Sequence, residues 1–98
     1  MSKMSSAGNK GPGIRSDCYA TLELSTSGGL QVDLTSKVGA LFGDSIHELA
    51  KEILVHFKVK HARLQIEDKG ALPFVLAARI EAAIKGAIDS DKEYWPEL

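Results

Sequence analysis

Three short runs of this chain alternate between apolar and polar residues. Successive side chains of a strand point to opposite faces of a sheet, so each run predicts a strand with one buried face. Ser27-Gly28-Gly29 separates the first two runs, and glycine adopts the positive φ angles of tight turns without steric cost. These two strands are therefore predicted to form a β-hairpin. The apolar members are Ala20, Leu22 and Leu24, then Leu30, Val32 and Leu34, then Ala62, Leu64 and Ile66.

Two further segments have apolar residues at steps of three and four, which predicts two amphipathic helices. One lies between the second and third strands, and the other follows the third strand. Ser45 with Glu48 forms a capping box for the first helix, and Asp44 can also satisfy its first amides. Pro73 suits the start of the second helix, and Gly86 its end. The stripes are Phe42, Ile46, Leu49, Ala50, Ile53, Leu54 and Phe57, and then Val75, Leu76, Arg79, Ile80, Ala83, Ile84 and Ala87.

The element order β-β-α-β-α predicts an α+β fold. It is a two-layer sandwich with a three-stranded sheet and both helices on one face. The helix between the second and third strands can form a right-handed crossover if those strands are parallel. One core is expected to hold Leu22, Leu24, Val32, Leu34, Ile46, Leu49, Ile53, Leu64, Ile66, Ile80 and Ile84.

Composition divides the chain into three parts. Residues 1–13 are rich in Ser, Gly, Asn and Lys, so they are predicted to form a disordered N-terminal tail. Residues 14–88 are the predicted folded domain. Residues 89–98 form an acidic C-terminal tail, in which Trp95 is either a hydrophobic latch or a contact for a partner.

Several functional classes are disfavoured by the residues present. The formal net charge is −1, so the basic excess of a nucleic-acid or anionic-membrane binding protein is absent. Cys18 is the single cysteine, which rules out a disulfide within the chain and favours the cytoplasm. His47, His56 and His61 lack the spacing of a metal site, and no nucleophile–base motif is present. We therefore expect a protein that is not an enzyme by itself.

Three motifs resemble a known family in order and spacing. They are Phe42-Gly43-Asp44-Ser45-Ile46, Asp68-Lys69-Gly70-Ala71-Leu72-Pro73 and Ala78-Arg79-Ile80-Glu81-Ala82-Ala83. Together they resemble the acyl carrier (gamma) subunit of citrate lyase, over about residues 13–87. The malonate decarboxylase carrier is similar at a greater distance. Residues 14–88 would then be an acyl-carrier-like domain.

The resemblance implies a carrier with a covalently attached phosphoribosyl-dephospho-CoA group, which is joined to a serine by a phosphodiester and bears an acyl thioester. The implied partners are an acyl-transferase subunit and a lyase subunit, together with the transferase that attaches the prosthetic group. A long arm on a small domain raises the effective concentration of substrate at two separate active sites.

The attachment residue has two interpretations. The family pattern is Ser, then Ser or Gly, then Asp, just before the first strand, and this chain reads Arg15-Ser16-Asp17. Ser16 is the candidate attachment residue if the loop slips by one residue. If Arg15 instead replaces the nucleophile, the chain is an unmodified, non-catalytic interaction domain that docks onto a lyase of citryl or malyl thioesters.

The remaining motif residues are either partner contacts or structural. They are Asp44, Asp68, Lys69, Gly70, Arg79 and Glu81. Asp68 and Lys69 can cap the second helix and close a turn. Arg79 is a possible anchor for Asp44 or Asp68. Glu81 lies two positions after Arg79, so the two side chains point to different sides of the helix.

Overall fold

The computed structural model describes residues 3–11, 13–14, 16–36 and 40–90. It is an α+β fold, as predicted, and contains the three predicted strands and the two predicted helices. A further strand precedes them. The elements are β1 (Lys3–Gly8), β2 (Asp17–Leu24), β3 (Leu30–Ser36), α1 (Ala40–His56), β4 (Ala62–Lys69) and α2 (Pro73–Ser90).

The sheet has the order β1-β2-β4-β3, so the predicted hairpin of β2 and β3 is wrong. β4 lies between these two strands, antiparallel to β2 and parallel to β3. The connection after β2 passes over the start of β4 and bonds to it. The Ser25 amide donates to the His61 carbonyl, and the Gly29 amide donates to His61 Nδ1. The glycine-containing loop thus connects two strands that lie on either side of β4 instead of two adjacent strands. The parallel connection β3–α1–β4 is formed as expected.

The sheet has four strands rather than three because β1 pairs with β2 along its whole length. The prediction that residues 1–13 form a disordered tail is therefore wrong for Lys3–Gly8. Backbone hydrogen bonds to β2 do not require apolar side chains, so this strand lacks the alternation that marks the others. Ser6 Oγ and Thr21 Oγ1 also lie 2.9 Å apart across the pair.

One face of the sheet is buried beneath the helices. Alternate residues of β2 and β4 are buried, whereas the opposite face presents partly or fully exposed side chains such as Glu23 and Arg63. α2 packs on β1 and β2, and α1 packs on α2 and β3. All eleven predicted core residues take part: Leu22, Leu24, Ile46, Leu64, Ile66, Ile80 and Ile84 are buried, and Val32, Leu34, Leu49 and Ile53 pack against them half-buried.

The helix ends differ from the predicted ones. α1 begins at Ala40, so Asp44 and Ser45 lie within the helix and do not cap it. α2 continues through Gly86 to Ser90. Gly86 is there because α2 crosses β1 closely: a Cβ atom at this position would collide with the side chain of Ser5. The C-terminal residues 91–98, including Trp95, lie outside the described residues.

Candidate functional site

Asp17 is the centre of a hydrogen-bond network at the start of β2. Its carboxylate accepts two hydrogen bonds from Arg79, from Nε at 3.0 Å and from Nη2 at 2.8 Å. Asn9 Nδ2 donates to the same carboxylate at 2.9 Å, and the backbone amide of Cys18 donates at 2.7 Å. The hydrogen bonds from Arg79, Asn9 and Cys18 hold the pKa of Asp17 well below its ordinary value.

The partner of Arg79 is thus Asp17, and not Asp44 or Asp68 as the sequence suggested. α2 packs across β2, which brings the guanidinium to a carboxylate 62 residues earlier in the chain. The hydrogen bonds to Asp17 raise the pKa of Arg79. A carboxylate placed immediately before an apolar strand, next to the candidate serine, was the sequence signal for this role.

Ser16 is exposed, and its backbone is fixed by the end of β4. Its amide donates to the Lys69 carbonyl at 2.8 Å, and the next residue, Asp17, forms a bridge with Gly70. Its φ angle is 57°, in the left-handed region that few residues other than glycine adopt. The loop therefore holds the backbone in place while the residue as a whole is exposed to solvent. Arg15 lies outside the described residues.

The β4–α2 turn forms the other side of this site. Asp68 is buried, and its Oδ1 accepts a hydrogen bond from the Ala71 amide at 2.9 Å. Gly70 has a φ of 83° at the turn, where its missing Cβ is an advantage. The Asp68 side chain therefore bonds across the turn between β4 and α2. Lys69 contributes its backbone to the pairing with β2 and to the bond with Ser16.

An apolar groove of about 460 Å³ lies between α1, the β4–α2 turn and α2. We call it the α1–α2 groove; its walls include Ile46, Leu49, Gly70, Ala71, Leu72 and Leu76. Two motifs that are distant in the sequence, the one around Ser45-Ile46 and the one from Asp68 to Pro73, meet in this groove. Periodicity marked Ile46 and Leu49 only as core residues and did not indicate a cavity.

The structure does not bring every predicted motif residue into the site. Asp44 is exposed on α1, next in the chain to the groove residue Ser45. Glu81 is half-buried on α2 and does not belong to the Asp17 network.

Cys18 and His61 have structural environments. Cys18 is fully buried, and burial, together with the negative charges of Asp17 and Asp68, raises the pKa of its thiol to about 11. The thiolate needed for nucleophilic chemistry is therefore scarce at neutral pH, as predicted. His61 accepts a hydrogen bond from the Gly29 amide and holds the loop after β2.

Two further features concern the part of the chain that the structure describes. No group of three or more His, Cys, Asp or Glu side chains within that part of the chain is placed to hold a metal ion. Within the same part, no helix has the length and apolar character needed to cross a bilayer.

Comparison with known proteins identifies the class and then the family. Residues 7–87 match an acyl carrier family described as "Malonate decarboxylase delta subunit (MdcD)". A citrate lyase acyl carrier protein of Clostridium perfringens is 40% identical over 80 residues, which are 82% of this chain and 79% of that protein. The Vibrio cholerae O1 (strain M66-2) protein of the same name is 36% identical over 83 residues, 85% of each chain. The Klebsiella pneumoniae one is 34% identical over 83 residues, 85% of this chain and 86% of that protein.

These matches define a small carrier rather than an enzyme. The chain belongs to the acyl carrier protein family that includes the malonate decarboxylase delta subunit and the citrate lyase acyl carrier proteins. The family predicted from the three motifs is therefore confirmed.

Proposed function

We propose that this chain is the acyl carrier subunit of a citrate lyase-like complex and that Ser16 is the attachment residue for a phosphoribosyl-dephospho-CoA arm. One observation supports this assignment above the others: Ser16 is an exposed residue on a backbone that β4 holds in place. The names of the citrate lyase relatives support the kind of complex. Cytoplasmic location remains a prediction.

The residues present fit such a group. A phosphodiester link requires a hydroxyl oxygen that a transferase can reach, and Ser16 is accessible. When attached, the group supplies a thiol that holds an acyl chain as a thioester. The protein's own part is to anchor one end of the arm: Asp17 joins the loop at Asn9, the start of β2 and α2. The arm can then visit a transferase and a lyase subunit while the domain stays bound to the complex.

Intact mass spectrometry tests this proposal. The chain is co-expressed with a prosthetic-group transferase that is active on a known carrier. The wild type should gain the mass of the group, and Ser16→Ala should not. Ser27→Ala is the matched control, because Ser27 is an exposed serine in another loop. A mass gain that persists in Ser16→Ala would place the attachment at another residue, and no gain in the wild type would contradict the modified carrier.

The second candidate is an unmodified interaction domain that docks onto a citryl or malyl thioester lyase. The backbone of Ser16 favours it, because a left-handed φ suits the position that is Ser or Gly in the family pattern. The attachment position would then be Arg15, which has no hydroxyl. Arg15→Ser discriminates the two: a mass gain in Arg15→Ser alone supports the unmodified domain, whereas a gain in the wild type supports Ser16.

A further inference from the structure

We infer that the α1–α2 groove binds the thioester end of the arm when it bears a small neutral acyl group, and that it excludes acyl groups with carboxylates. This inference rests on the proposed carrier function. It assigns a resting place to the cargo that is distinct from the attachment residue.

The α1–α2 groove lies next to the candidate attachment residue. Ser16 is hydrogen-bonded to the Lys69 carbonyl, and Asp17 forms a bridge with Gly70, which is part of the groove wall. The backbone of the candidate attachment residue is thus hydrogen-bonded to the turn that forms one edge of the groove. An arm attached at Ser16 begins within a few residues of the groove, so a tethered end samples it without leaving the domain.

The groove has the size and the polarity of a site for a small neutral group. A volume of about 460 Å³ lies within the range of small-molecule sites, about 300–1,000 Å³. Its walls are mostly aliphatic, and the exposed side chain of Leu72 extends the apolar surface outward. A neutral thioester loses little hydration in such surroundings, whereas the phosphates of the arm belong in water.

The described walls of the groove offer no positive charge to a carboxylate. Asp68 is among the residues that line the groove, and none of the described lining residues is basic. Arg79 is not among the lining residues, and its guanidinium is paired with Asp17. A carboxylate on the acyl group would lose hydration against the aliphatic walls, so a charged acyl group stays outside, accessible to partner subunits.

Weak binding suffices for this role. A flexible tether gives effective concentrations of about millimolar, so an affinity of that order already fills the groove for much of the time. The experiment must therefore detect weak, saturable binding.

A methyl NMR titration of the unmodified full-length chain tests the inference. The probes are acetyl-pantetheine and succinyl-pantetheine, each added up to its solubility limit. Methyl signals of Ile46, Leu49 and Leu76 should shift saturably with acetyl-pantetheine. With succinyl-pantetheine the apparent affinity should be at least about tenfold lower, because a carboxylate must be desolvated.

Leu72→Glu should abolish the acetyl-pantetheine shifts. Its side chain is 56% exposed, so the fold should survive the change. Val55→Glu is the matched control, since Val55 is 65% exposed on α1 and does not line the groove. It should leave the shifts intact.

Several results would overturn the inference: no saturable shift, equal affinity for the two thioesters, or unchanged binding in Leu72→Glu. Cross-relaxation between groove methyls and Trp95 in the free chain would assign the groove to the C-terminal segment. Shifts that depend on protein concentration alone would assign it to a second copy. Because the titration uses the unmodified chain, its outcome is independent of whether Ser16 accepts the arm.

Discussion

Asp17 joins three parts of the protein through one carboxylate. Asn9 follows β1, Cys18 belongs to β2, and Arg79 belongs to α2. Hydrogen bonds between charged groups are stronger than neutral ones, and the bidentate geometry fixes the direction of both side chains. The Asp17 side chain is 14% exposed and that of Arg79 is 36% exposed, so water screens this pair only in part. The candidate serine is therefore held by its neighbour in the sequence.

Asp17→Asn should lower the free energy of unfolding at neutral pH by about 1.5–3 kcal/mol, because charged hydrogen bonds are lost near α2. Urea denaturation measures this change. Asp33→Asn is the control, since the Asp33–Arg63 pair is 54% exposed on both sides and should contribute at most about 1 kcal/mol. Equal losses in the two variants would contradict the special role of Asp17.

The free energy of unfolding at acidic pH should also depend on Asp17. The pKa of its carboxyl is lower in the folded state than the ordinary value of 3.8. Its contribution is therefore complete above that value and is lost as the pH falls below it toward the folded-state pKa. The difference between wild type and Asp17→Asn should stay constant from neutral pH down to about pH 5 and shrink below about pH 4. If the stability difference between wild type and Asp17→Asn stayed constant below about pH 4 as well, it would not arise from the ionised carboxylate of Asp17.

Substitution of Gly86 by alanine should destabilise one form of the protein and stabilise another. Alanine is favoured over glycine in a helix by about 1 kcal/mol, but a Cβ atom at Gly86 would collide with Ser5. Overpacking of this kind costs about 1–3 kcal/mol, so Gly86→Ala should destabilise the wild type. In a Ser5→Gly background the same change should become stabilising. Thermal unfolding of the four proteins measures the effect of Gly86→Ala on stability in each background. A loss of stability in both backgrounds would show that the added methyl group collides with a residue other than Ser5.

At the scale of elements, β1 is the strand at one edge of the sheet, and α2 packs against it. Its residues are small and polar at Ser5 and Ser6, and the strand is stabilised by its ladder to β2 and by close approach to the helix. Gly8 permits that pairing, because a Cβ atom there would overlap the Cys18 carbonyl oxygen. The strand is thus specified by fit to its neighbours more than by its own apolar residues.

Removal of residues 1–8 should lower the unfolding midpoint in urea, because β2 becomes an edge strand and part of α2 loses its cover. A chain that begins at Lys3 retains the whole strand and should match the full-length chain. If the chain without β1 unfolded at the same urea concentration, residues 1–8 would contribute nothing to stability. That result would be expected of a disordered tail.

At the scale of the whole molecule, the site is assembled from segments that are far apart in the chain. The loop before β2 supplies Ser16, the β4–α2 turn supplies Lys69 and Gly70, and α2 supplies Arg79. α1 adds one wall of the α1–α2 groove. Only the complete fold places the anchor and the groove side by side, which is why the carrier and groove proposals require the full chain in their tests.

The sequence by itself determined the three alternating strands, the two helices, the eleven core residues and the family, because burial of one face leaves a local period of two or of about 3.6. It also indicated that Cys18 is unreactive and that Asp68 closes a turn. Tertiary structure decided the position of β4 between β2 and β3, the existence of β1 and the pairing of Arg79 with Asp17. Each of these depends on hydrogen bonds or contacts between distant segments, and such contacts leave no period in the local sequence.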